Sequence, residues 1–366
     1  MQWYEINNPE QIDTPAILVF PDRVQFNIDH AIARVGNVDR LRPHIKTHKS
    51  PDVTRMSIQS GITKFKCATI AEAELLGTLE AKDVLIAYPL IGPKLERYLR
   101  LVHQFPNTEF SSIIDHMDGA NQLENIGKRY GVKLNAYIDI DPGMHRTGIA
   151  LEKATDLLHA LFKKENMIFK GFHFYDGHIR DQDFKLRKVK SDTAYGQLQS
   201  WINTLNLKMK YSIICGGSPT FPCHSSRMEV ECSPGTFVYW DKGYATVENE
   251  VGFIPAAVII ARVISKPGDD LVCLDLGHKS VAAENDILHR VSFLDESIHL
   301  MAISQSEEHL VLKADDPTRY QIGDLMYMLP YHICPTIALH DRVNTVKDHH
   351  VTGHWFTTAR DRYIHI

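Results

Sequence analysis

Residues 41–50 read LRPHIKTHKS and crowd Arg42, His44, Lys46, His48 and Lys49 into one short stretch. A short strand ending in so much positive charge suits an anion, and a lysine there can act as an amine nucleophile on a carbonyl carbon. Neighbouring cations such as Arg42 and His44 would favour its uncharged, nucleophilic form. The plainer alternative is a solvated basic turn. Other chemistry-bearing residues stand in DPGMHRTG (Asp141, His145, Arg146), FHFYDGH (Tyr175, His178) and ICGGSPT (Gly216, Gly217, Ser218). A Gly-Gly-Ser loop can turn backbone N–H groups and a hydroxyl toward a phosphate. Taken alone, such a loop is more often just a tight turn. His332 and Cys334 in YHICPT lie two apart and would share one side of an extended segment. Imidazole plus thiolate is a zinc pair that leaves coordination positions open. A buried cysteine beside a backbone-bonded histidine is the competing reading.

These residues need elements to hold them. From RLRPHIK to RMEVECS, short apolar runs alternate with helix-length amphipathic segments, and about eight strands can be counted. That pattern predicts a closed parallel (β/α)8 barrel of TIM type over residues 20–243, with ligands at the carboxyl ends of the strands. Lys46 would end the first strand, Arg146 would follow the fifth, Tyr175 and His178 would end the sixth, and Gly216–Ser218 the seventh. Past Trp240 the runs AAVIIARV, RVSFLDE, HLMAIS and HLVLKA are strand-like and joined by Pro, Gly and Asp turns. They predict a β-rich domain over 244–366, joined by residues 1–19 and paired with the apolar TPAILVFP.

Bulk properties remove several classes. The chain has 366 residues and a formal net charge of −5, with no long run of one sign, which argues against a nucleic-acid surface or a polybasic membrane segment. No secretory signal or membrane-length apolar run is visible. Six scattered cysteines without a C-x-x-C pair suit reduced thiols in the cytoplasm.

RPHIKTHK, DPGMHRTG, CGGSPT, SPGTFVYWD, LDLGHK, SEEHL and HICPT occur in this order along nearly the whole chain. Together they resemble the D-threonine aldolase and D-serine dehydratase family, pyridoxal-phosphate enzymes of the alanine-racemase-like fold. The resemblance implies that Lys46 carries pyridoxal 5'-phosphate as a Schiff base and that Arg146 contacts its phenolic oxygen. Gly216, Gly217 and Ser218 would hold the phosphate, and Tyr175 and Tyr239 would line the pocket, with Asp241 nearby. It also implies a divalent metal on His332 and Cys334, zinc ahead of manganese. Such a metal assists removal of a proton from a substrate β-hydroxyl or departure of hydroxide. His178 is the candidate general base, and a loop histidine without function is the equal alternative. Asp275 and Lys279 are expected to form an ion pair, and SEEHL a polar strand end.

The expected activity is retro-aldol cleavage of D-threonine-type substrates to glycine and an aldehyde. In the family the aldolases carry a carboxylate as second metal ligand and the dehydratases a cysteine, so Cys334 departs from the aldolase pattern. A D-serine or D-threo-3-hydroxyaspartate dehydratase is therefore the alternative. A cofactor-homeostasis protein or a racemase on the same fold stands further back. A small-molecule D-amino acid is the expected partner, and a homodimer the expected assembly.

Overall fold

In the computed structural model, residues 1–247 and 251–366 are described, so residues 248–250 of the expected β-rich domain lie outside the described residues. The chain divides into two compact units. One comprises His30–Lys46, Thr54–Gly235 and Asp361–Ile366, and the other Met1–Asp29, Thr47–Val53 and Thr236–Arg360.

The chain's first strand is β1 (Ala16–Val19). The first of the two units is built on β2 (Lys64–Cys67), β3 (Asp83–Pro89), β4 (Glu109–Ile114), β5 (Leu134–Ile140), β6 (Met167–Phe174), β7 (Ser212–Cys215) and β8 (Val230–Cys232). They pair in sequence order and all in parallel. The segment 41–44 closes the ring, with parallel bridges Leu41↔Cys232 and His44↔Lys66 on its two sides. Eight parallel segments thus form the expected α/β barrel. The closing segment is not a regular ladder strand, because Pro43 has no N–H to donate and offers only its carbonyl, to Lys66 N.

Local chemistry sets the connecting helices. Thr69 caps the helix Ile70–Thr78 by accepting from Glu72 N, while the Glu72 carboxylate takes Ala68 N. Asp183 caps Phe184–Thr204. Gly131, at φ +66°, ends Met117–Tyr130 in the left-handed conformation that favours glycine. Inside the barrel, Leu85, Ile113, Tyr137 and Ile214 form one packed cluster.

The second unit carries β9 (Ala257–Gly268), β10 (Leu271–Leu274), β11 (Val291–Phe293), β12 (Leu300–Gln305), β13 (Leu310–Ala314), β14 (Leu325–Pro330), β15 (Arg342–Lys347) and β16 (His350–Phe356). β1 lies inside this sheet, antiparallel to β9 and parallel to β15. Its four residues are all buried, which explains an uninterrupted AILV rather than an alternating pattern. Leu18, Phe20, Val258, Ile260 and Val346 pack into the core beside it. No helix among the described residues is long and apolar enough to cross a membrane.

Candidate active site

Lys46 sits in the single 3-10 turn Ile45–Thr47 that follows the closing segment, one step past the expected strand end. Its backbone N–H donates to His44 Nδ1 at 3.2 Å. The side chain turns to the Tyr175 ring, whose centroid lies 5.8 Å from Lys46 Nζ, 5.4 Å from Lys66 Nζ and 5.0 Å from Arg146 Cζ. Three cations thus share one aromatic ring, within the range of cation–π attraction.

Two glycines allow this ring its place. A Cβ on Gly177 would stand 2.2 Å from Tyr175 Oη, and one on Gly217 would stand 2.7 Å from Tyr175 Cε2. Gly216 has φ +77°, a conformation that favours glycine. Its N–H is already given to Phe174 O at 2.9 Å, so it is not a free donor as the sequence suggested. The Gly217 N–H has no acceptor among the described residues. Ser218 is buried, and its Oγ accepts from Gly235 N at 3.3 Å.

Beneath this loop Asp176 accepts from Thr220, Ser191 and His224. Burial alone would raise its carboxyl, but the His224 and Thr220 contacts outweigh that and hold it below the usual range. Gly216 rests on His224, where an added Cβ would come to 2.8 Å from the ring. The buried carboxylate therefore anchors the glycine loop from below.

Asp139 is the carboxylate of the pocket. It accepts from Thr147 Oγ1 at 2.9 Å and meets His173 Nδ1 at 2.7 Å. Burial lowers the His173 pKa, Asp139 opposes this, and Lys66 and Arg146 lower it further. A neutral His173 donates from Nδ1 and leaves Nε2 as an acceptor, which is buried and has no partner among the described residues. An orphaned acceptor beside a ring of cations is what a ligand-binding pocket leaves for its ligand. The unused Gly217 N–H suits a phosphate oxygen and the His173 acceptor suits an N–H or O–H of the ligand, so together they fit a phosphate-bearing cofactor. His178 is exposed at the rim, and its Nε2 would lie 3.6 Å from a Cβ on Gly143.

Arg42 is not part of this cluster. Its fully buried guanidinium binds Asp83 through both terminal nitrogens and Glu231 through Nε, each at 2.7 Å. With two carboxylates upon it, Arg42 exerts little net charge on Lys46, and the expected crowding by Arg42 is replaced by Lys66 and Arg146. Sequence reasoning missed Lys66, Asp139 and His173. Their signal was the strand alternation in KFKC, YIDID and FHF, which sends every second side chain to the barrel interior.

The second unit holds the expected metal pair. His332 is extended and caps the helix Ile333–Leu339, so Cys334 lies in a first helical turn and not on an extended strand as expected. Pro335 is tolerated there because first-turn N–H groups have no helical partner. The two side chains still meet. Burial would lower the His332 pKa, but a hydrogen bond with Cys334 and one with Glu284 outweigh it and lift it to about 9. Glu284 holds Nδ1. Cys334 Sγ also lies 3.1 Å from Thr47 Oγ1 and 3.5 Å from Thr236 Oγ1. A carboxylate orienting a histidine that meets a thiol fits a soft divalent ion. Among the described residues no third His, Cys, Asp or Glu completes a cluster. Water or substrate would have to supply the remaining ligands.

Tyr239 lies in this unit, with a buried hydroxyl that has no partner among the described residues. Asp241 is spent on structure, its oxygens taking Ile333 N and Tyr244 N. Asp275 accepts from Thr14 and from Arg262 N, while Lys279 pairs with Glu308. The expected Asp275–Lys279 pair is therefore not formed; both partners found better-placed groups.

The family model described as "Alanine racemase, N-terminal domain" matches residues 19–242, and that described as "Putative serine dehydratase domain" matches residues 256–346. The chain belongs to the alanine-racemase-like family of fold-type III. A 3-hydroxy-D-aspartate aldolase of Paracoccus denitrificans is 26% identical over 96% of this chain and 93% of its own. A D-threonine aldolase of an Arthrobacter species is 24% identical with the same coverage. Other relatives, at 24% and 23% identity, are named D-threo-3-hydroxyaspartate dehydratase and D-serine dehydratase. The crystal structure of D-threonine aldolase from Filomicrobium marinum shares the fold with a TM-score of 0.86, at 23% identity and covering 95% of each chain.

Proposed function

We propose that the protein is a pyridoxal-phosphate-dependent lyase of D-β-hydroxy amino acids that cleaves D-threonine-type substrates to glycine and an aldehyde. The observation that carries this reading is the gathering of Lys46, Lys66 and Arg146 on Tyr175 beside the glycine loop. When bound, the cofactor supplies an electron sink that weakens bonds at the substrate Cα.

The chain's own groups do the rest. Lys46 Nζ would hold the cofactor covalently. Arg146 would donate to the phenolic oxygen, Tyr175 would pack on the ring, and Gly217 N–H with the flanking Gly216 and Ser218 would take the phosphate. Tyr239 offers its unpaired hydroxyl. His332 and Cys334 would hold a divalent ion, zinc before manganese, which would supply Lewis acidity toward the β-oxygen. His178 takes the proton from the β-hydroxyl as the Cα–Cβ bond breaks, and Cα receives a proton in exchange. The same reading makes the protein a homodimer.

Cys334 favours a second reading. A thiolate at the second ligand position suits a zinc-assisted dehydratase, in which Cα loses its proton, the β-hydroxyl leaves as water, and water then hydrolyses the C=N bond to give the 2-oxo acid and ammonia. Incubation with D-threonine separates the two. Glycine and acetaldehyde are expected, none from L-threonine, and none after chelation or with His332→Ala. Ammonia and 2-oxobutyrate without glycine would replace the aldolase by the dehydratase. Full activity after exhaustive chelation would remove His332 and Cys334 from the reaction.

A further inference from the structure

We infer that Lys66 is an anion-binding residue of this pocket, its ammonium pairing with an anionic oxygen of the bound ligand, either the cofactor phenolate or the substrate carboxylate. This rests on the proposed cofactor site and adds a residue to it. Lys66 is only 2% exposed, and among the described residues its Nζ has no hydrogen-bond acceptor. Buried lysines without a partner are rare, and a missing partner points to a ligand. Asp139, the carboxylate of the pocket, is already committed to His173 and Thr147. The adjoining residues of β3 are the apolar Leu85 and Ile86, which offer no side-chain acceptor.

What Lys66 does face is the ring of Tyr175, the residue that Lys46 and Arg146 also face. Two cations beyond the nucleophile itself, against one engaged carboxylate, leave the pocket with unspent positive charge. Burial first, then Lys46, lowers the Lys66 pKa to about 7. An entering anion reverses that balance and returns the side chain to its charged form.

The test uses Lys66→Met and Lys66→Arg, with thermal melting to confirm folding; Lys66→Gln repeats it should the methionine variant not fold. Apoprotein is titrated with pyridoxal 5'-phosphate by absorbance. Loaded protein is titrated with D-alanine, which lacks a β-hydroxyl, and with ethylamine, which lacks the carboxylate. Losing a charge-assisted bond should weaken one binding constant about ten- to a hundredfold in Lys66→Met, with most of it regained in Lys66→Arg. Weaker cofactor binding assigns the phenolate. Unchanged cofactor binding with weaker D-alanine but wild-type ethylamine binding assigns the carboxylate. Wild-type constants for all three ligands in a folded Lys66→Met overturn the inference. Wild-type protein that takes no cofactor overturns the proposed function, and this inference with it.

Discussion

Around the Tyr175 ring the charges are unbalanced, with Lys46, Lys66 and Arg146 on one side of the account and Asp139 on the other. Arg146 is the member whose loss should leave the site standing. Arg146→Ala is expected to retain bound pyridoxal phosphate, shift its absorbance and slow turnover about ten- to a hundredfold, the worth of one charge-assisted bond of about 1.5–3 kcal/mol. A wild-type spectrum and rate in that variant would place the arginine away from the cofactor. Lys46, Arg146, Tyr175 and Gly217 were legible in sequence because each stands in a run that ends a strand. Lys66 was not, because alternation in KFKC tells which residues share a face but not which face is the interior. Arg42 was misread for a related reason. Its partners Asp83 and Glu231 lie 41 and 189 residues away, and nothing local announces them.

At the scale of elements, the weak point of the barrel is the segment 41–44, which makes bridges but no ladder. Arg42 compensates by fastening it to β3 and β8 through Asp83 and Glu231. Arg42→Ala removes one partner of a buried network and should cost about 3–5 kcal/mol in chemical denaturation. Lys64, 2.7 Å from Glu231, keeps that carboxylate partly paired. A loss below about 1 kcal/mol would mean the network is not what closes the ring. The barrel strands were legible from alternating apolar runs and helix-length spacers, and β1 from its unbroken apolar stretch. The first turn at Ile333–Leu339 was not, because Pro335 suggests a break. Proline in a first turn is instead compatible with a helix, as Asp241 shows by accepting Ile333 N.

For the whole molecule, acid should be felt before the carboxylates titrate. Burial lowers the His48 pKa to about 3, with a backbone hydrogen bond to Ser50 opposing and Lys49 assisting. The unfolded chain takes up this proton below about 6.5, whereas the folded chain does not until about 3. Stability is therefore full above pH 6.5 and falls by up to about 1.4 kcal/mol per pH unit for this group as pH drops toward 3. Burial also lowers His173 and His340, which adds in the same direction. Urea midpoints measured from pH 6.5 to 5, where His332 is protonated in both states, should decline, with a shallower slope in His48→Asn; a flat profile would contradict the buried neutral histidine.

The claim on which the functional account turns is that Lys46, and no other lysine, carries the cofactor. Purified protein loaded with pyridoxal phosphate, reduced with borohydride and mapped by mass spectrometry tests it directly. One phosphopyridoxyl group is expected on the peptide containing Lys46, absent from Lys46→Ala, which should also lack activity. A group on Lys66 instead, the other amine facing Tyr175, would contradict it.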